Sequence, residues 1–117
     1  MKEEEIIDVA KEAYLLSKQL GALEEGLKSK DRRISLGLRA YAENYNQILA
    51  RAKQLLKYDE IILKSIQHLK SYDCPEGYQS ETEFLEMGAD VPILKEALYT
   101  FFEFHFPKKE KEKIGFQ

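Results

Sequence analysis

Residues 91–106 constrain the fold more than any other stretch of this chain, because almost all of their side chains are apolar or aromatic. They read VPILKEALYTFFEFHF and are followed by Pro107. On a helix of 3.6 residues per turn, the polar side chains share one narrow face: Lys95, Glu96, Thr100 and Glu103. The remainder forms an apolar arc of roughly 240°, whereas a surface helix needs only about 100°. This helix must therefore be covered by the rest of its own chain or by a second chain.

Two heptad seams, with apolar residues spaced alternately three and four apart, precede this helix. The first predicts a helix over residues 3–28 and consists of Ile6, Val9, Ala13, Leu16, Leu20, Leu23 and Leu27. The second consists of Ile34, Leu38, Tyr41, Tyr45, Ile48, Ala52 and Leu55, with Leu49 and Leu56 widening it. Two seams of matched length joined by a few residues predict an antiparallel helical hairpin.

No Gly or Pro occurs between Leu38 and Cys74, so residues 31–71 could form one continuous helix. The alternative is a break near Tyr58, with Asp59 as the N-cap of a third helix that reaches Ser71. We favour the break, because a compact domain has little use for a rod of about 40 residues at 1.5 Å per residue.

The remaining elements follow from turn and capping signals. Residues 72–79 contain Pro75 and Gly77 and are expected to form a loop. A capping box that begins at Ser80 opens a short helix, which is predicted to end at Gly88. Asp90 then caps the aromatic closing helix.

These elements predict an all-α helical bundle with a single domain over 1–107 and a charged, frayed tail over 108–117. Apolar residues make up 44% of the chain and charged residues 33%, as in soluble globular proteins. No apolar run approaches the roughly 18 residues that a membrane span needs, and the acidic N-terminus does not resemble a signal peptide. We therefore expect a cytoplasmic protein without membrane contact. The abundance of Lys and Glu hints at a thermophilic source.

The sequence offers few residues for catalysis or for metal binding. A di-iron site in a bundle needs paired Glu-x-x-His motifs, but Ser65 precedes His68 by three residues and Phe102 precedes His105. The single cysteine, Cys74, excludes an internal disulfide and a zinc site built from several cysteines. Because the common phosphate-binding, zinc-protease and nucleophile motifs are also absent, we expect no cofactor, no metal and no enzymatic activity.

The leading hypothesis is a non-catalytic module that binds a helical protein partner or pairs with itself as a homodimer. The candidate contact residues are Tyr99, Phe101, Phe102, Phe104, His105 and Phe106. One alternative is nucleic-acid binding by Lys28, Lys30, Arg32 and Arg33, although Asp31 interrupts this cluster and the net charge is −3. Another is a small-molecule site in the bundle core that uses His105 and nearby tyrosines.

Overall fold

The computed structural model describes residues 3–29, 38–73 and 81–110. The order of elements is α1 (Glu3–Ser29), α2 (Leu38–Leu55), a 3-10 turn (Leu56–Tyr58), α3 (Glu60–Lys64) and α4 (Glu81–His105). Residues 108–110 of the predicted tail form a further helical turn. The described residues contain no strand, and the predicted all-α bundle is confirmed.

Both heptad seams face the core of the bundle. The seam residues of α1 are buried from Ala13 onward, and Ile6 and Val9 are partly buried. The seam of α2 is buried from Tyr45 to Leu55, and Tyr41 packs against the core from its edge. Ile34, at the start of the second seam, lies outside the described residues.

Helices α1 and α2 run antiparallel, as the matched seams predict. Arg51 of α2 forms a bidentate ion pair with Glu12, in the first half of α1. Towards the other end of α1, the ring of Tyr41 lies directly over Gly26. These two contacts join opposite ends of the two helices, so the chain reverses between them.

Helix α4 is the most extensive neighbour of α1 and also runs antiparallel to it. Lys95 Nζ lies 2.6 Å from Glu24 Oε1, and the ring centroids of Tyr14 and Phe102 are 4.6 Å apart. Helix α1 therefore packs against both α2 and α4. It covers a large part of the apolar arc from within the same chain.

The predicted break before Asp59 is confirmed. The Asp59 carboxylate accepts a hydrogen bond from the backbone N–H of Ile62 and caps α3. However, α3 ends at Lys64, and the predicted continuation to Ser71 is wrong. The Ser65 hydroxyl and the Ser65 N–H both donate to the Ile62 carbonyl, and such local bonds compete with α-helical ones. The chain continues in successive three-residue turns to Leu69.

The predicted division of residues 80–106 into two helices is also wrong. Helix α4 continues through both Gly88 and Pro92. A continuous buried stripe crosses them, consisting of Met87, Val91, Leu94, Leu98 and Phe101. Each such side chain stabilises the fold by about 1.5–3 kcal/mol when it is buried. The sum over the stripe exceeds the cost of one Gly in a helix, about 1 kcal/mol, and of one Pro, about 3 kcal/mol. Ser80, which opens the predicted capping box, lies outside the described residues.

The segment after α3 returns along the bundle and is held by side chains of α2. Asn46 donates to the carbonyl of Tyr72 and accepts from its N–H, both at 2.8 Å. Lys53 Nζ donates to the carbonyl of Leu69 at 2.9 Å. The Tyr72 hydroxyl then donates to Asp90 of α4 at 2.5 Å, so that this segment connects α2 with α4.

Candidate functional site

The six predicted contact residues of α4 do not share one surface. Phe101, Phe102 and Phe106 are buried in the core of the same chain, which corrects their assignment to an interface. Their burial follows from their position, because α1 packs over this side of α4 and places the ring of Tyr14 against that of Phe102. Phe104 is 75% exposed, and Tyr99 lies at the edge of the α1 contact with 37% of its surface exposed.

His105 has a structural partner that the sequence did not identify. Its Nε2 lies 2.7 Å from Asp59 Oδ2, and its ring packs on Phe101 with a centroid distance of 4.4 Å. The hydrogen bond from His105 holds the pKa of the Asp59 carboxyl below its usual range. This pair fastens the start of α3 to the end of α4. His105 is thus engaged with a carboxylate.

The pair at Asp59 brings α3 beside α4 and creates an open apolar groove of about 580 Å³ between them. We refer to it as the α3–α4 groove. It is lined by Ile61, Ile62, Ser65, Pro92, Ile93, Glu96, Ala97, Thr100 and Phe104. Its most exposed apolar side chains are Ile61 at 84%, Phe104 at 75% and Ile93 at 39%. Isolated exposed apolar residues are ordinary, but three around one groove are typical of an interaction surface.

Ile61 was missing from the predicted site, although the sequence contained a signal for it. Ile61 and Ile62 are adjacent on α3, and neighbouring positions on a helix point about 100° apart. Because Ile62 is buried in the core, Ile61 points towards solvent. Two adjacent apolar residues at the start of a short helix were therefore the sequence signal for the α3 side of the groove.

The α4 side of the groove carries a second regular pattern. Ile93, Ala97, Thr100 and Phe104 are spaced four, three and four apart, and we call them the outer stripe. This spacing places them within a sector of about 60° on a helical wheel, as in a coiled-coil seam. The outer stripe faces away from α1. In the sequence it was hidden because it crosses the edge between the apolar arc and the polar face, where Thr100 lies.

The basic cluster of the nucleic-acid alternative is only partly described. Lys28 is exposed at the end of α1, 3.9 Å from Glu25. Lys30, Arg32 and Arg33 lie outside the described residues. Within the described ranges, no group of three or more His, Cys, Asp or Glu side chains is arranged to hold a metal ion.

Comparisons with family models, with curated proteins and with solved structures each found no significant match. The geometry of the chain itself is therefore the basis for assigning a function. Among the helices that the structure describes, none combines the length and apolarity needed to cross a bilayer.

Proposed function

We propose that this protein is a non-catalytic helical module that binds another helix in the α3–α4 groove. The observation that carries the proposal is the exposure of Ile61 and Phe104 on opposite walls of one apolar groove. Covering a large apolar side chain contributes about 1.5–3 kcal/mol, so these two residues are the expected anchors of the contact.

The dimensions and rim of the groove suit a helix. The outer stripe follows the spacing with which one helix packs along another, and Ala97 and Thr100 leave room at its centre for close approach. Ser65 and Glu96 are exposed at its edge and form a polar rim. An apolar centre with a polar rim is the usual anatomy of a protein–protein interface.

The test compares two glutamate substitutions in the full chain. Phe104→Glu places a charge in the groove, whereas Leu15→Glu changes a residue of α1 that is also exposed, at 58%, and does not line the groove. Since both sites are exposed, each variant should unfold within about 0.5 kcal/mol of wild type. Phe104→Glu should abolish association and Leu15→Glu should preserve it.

Two readouts are needed, because the partner is either a second copy or another protein. The first is the mass of the purified chain by light scattering. The second is the set of proteins retained from nuclease-treated extract of the native cells by each immobilised variant. If all three chains have the same mass and retain the same proteins, the groove is not a docking site and the proposal fails.

A further inference from the structure

The outer stripe has the same pattern of residue sizes when it is read in either direction. Its large members, Ile93 and Phe104, stand at the ends, and its small members, Ala97 and Thr100, stand in the middle. Ile93 and Phe104 are equally far along the chain from the peptide bond between Leu98 and Tyr99, and so are Ala97 and Thr100. The pattern is therefore centred on that peptide bond. We infer, on the basis of the proposed function, that the helix in the groove is α4 of a second copy, antiparallel to the first.

A two-fold axis through this centre matches each residue to its counterpart. Ile93 faces Phe104 of the second copy, and Ala97 faces Thr100 of the second copy. In such an isologous contact every pair occurs twice. The small central pair lets the two α4 backbones approach to the 8–10 Å typical of packed helices.

The position of Ile61 makes the groove complementary to itself in shape. Because Asp59 is bonded to His105, Ile61 lies at the Phe104 end, and that end is the bulkier one. The other end is less bulky, because Ile93 is less exposed than Phe104 and Ile61. The two-fold axis places the bulkier end of each copy over the less bulky end of the other.

The available area fits a small interface. A large aromatic side chain buries about 150–250 Å², so Phe104 and Ile61 at their observed exposures offer about 300 Å² per copy. Two copies offer about 600 Å² before Ile93 is included. A specific interface at the lower size limit of about 1,200 Å² has an apolar share of about 700 Å². The dimer should therefore be concentration-dependent and not obligate.

The charges beside the outer stripe distinguish this dimer from other complexes. Glu96 and Glu103 are both exposed and lie on one flank of the stripe. The two-fold axis brings the same flank of both copies together, so glutamates of the two copies lie close to each other and repel. Salt screens this repulsion and should therefore strengthen the dimer. A foreign helix with lysine or arginine on that flank would instead bind more weakly in salt.

Sedimentation of the purified full chain tests the inference. We expect a monomer–dimer equilibrium that tightens several-fold between ionic strengths of about 0.1 M and about 1 M. Because every pair occurs twice, Glu96→Gln should tighten it at low salt by about two- to fivefold, the size of two exposed like-charge pairs. Phe104→Glu should give monomers under all conditions.

A cross-link tests the register of the two helices. In a Cys74→Ser background, Thr100→Cys places one thiol near the axis in each copy and should form an interchain disulfide rapidly. Leu15→Cys in the same background is more accessible to the oxidant than Thr100→Cys but lies away from the groove, so its oxidation to an interchain disulfide should be slow.

A wild-type chain that stays monomeric overturns the inference, as does a dimer that loosens in salt or lacks the Thr100→Cys cross-link. A monomeric chain that still retains a cellular protein lost by Phe104→Glu, but not by Leu15→Glu, would leave the proposed function in place with a different partner.

Discussion

At the scale of single residues, Asp59 connects the fold with the candidate site. Its carboxylate caps α3 through the N–H of Ile62 and also binds His105 at the end of α4. A histidine is well placed there, because the C-terminus of a helix favours positive charge. Together with the buried side chain of Ile62, this pair holds Ile61 beside Phe104. One acidic residue therefore defines both the break in the chain and one end of the groove.

Substitutions of Asp59 should separate its two roles. Asparagine caps a helix as well as aspartate but lacks the charge, so Asp59→Asn should lose only the stabilisation associated with the carboxylate. Asp59→Ala should lose the cap as well, at an additional cost of about 1 kcal/mol. The free energy of unfolding, measured in urea at neutral pH, should decrease in the order wild type, Asp59→Asn, Asp59→Ala.

The pH dependence follows from the lowered pKa of Asp59, for which the hydrogen bond from His105 is the largest cause. A depressed pKa contributes stability above the unfolded value of about 3.9, and this contribution is lost as the pH falls through the folded value. The difference between wild type and Asp59→Asn should thus be present at neutral pH and shrink below about pH 4. A difference that stays constant over this range would show that the charge of Asp59 does not stabilise the fold.

At the scale of elements, the glycines of α1 show that one residue type can serve different purposes. A Cβ at Gly21 would meet no atom within 4 Å. A Cβ at Gly26 would lie 2.8 Å from the Tyr41 hydroxyl and 3.1 Å from its ring. Gly26 therefore allows the close approach of α2 to α1, whereas Gly21 makes no such contact.

Alanine substitutions should reveal this difference. Gly21→Ala should stabilise the protein by up to about 1 kcal/mol, the difference in helix propensity. Gly26→Ala should gain less or should destabilise, because the Tyr41 ring must move. Thermal unfolding of both variants measures the effect, and Tyr41→Ala provides the control. In the Tyr41→Ala background, Gly21→Ala and Gly26→Ala should change the stability by the same amount. A difference that persists there would exclude the contact with Tyr41 as its cause.

At the scale of the whole molecule, the buried Tyr45 and the partly buried Tyr72 link the returning segment to the bundle. The rings of Tyr45 and Tyr72 meet edge to face at a centroid distance of 5.5 Å. Burial is the largest cause that raises the pKa of each, and for Tyr72 the hydrogen bond to Asp90 adds to it. The native state therefore favours both tyrosines in their neutral form.

Alkaline unfolding should report this linkage. A raised pKa contributes stability that is fully present below the unfolded value of about 10 and is lost as the pH rises above it. Each tyrosine that the native state keeps neutral makes the free energy of unfolding fall more steeply with pH, by about 1.4 kcal/mol per pH unit. Tyr72→Phe should reduce the slope by that amount in urea titrations between about pH 10 and pH 11.5. Equal slopes for the variant and wild type would contradict the assignment.

The sequence by itself determined the helical class, the two seams and the antiparallel hairpin, and it favoured the break at Asp59. Each depends on residues close together in the chain, namely on periodic burial or on a cap. The local signals at Gly88 and Asp90 also depend on nearby residues, yet they predicted a boundary that does not exist. Packing of α4 on α1 overrides them, because a long buried stripe contributes more than one glycine and one proline cost.

Only the tertiary structure decided which part of the aromatic helix stays open. The sequence showed that the arc on α4 was too wide for a surface helix, but it could not show which side α1 would cover. That choice depends on contacts between residues far apart in the chain, such as Lys95 with Glu24 and His105 with Asp59. These contacts bury Phe101 and Phe102 and leave Phe104 beside Ile61. The candidate site is the part of the arc that the bundle does not cover.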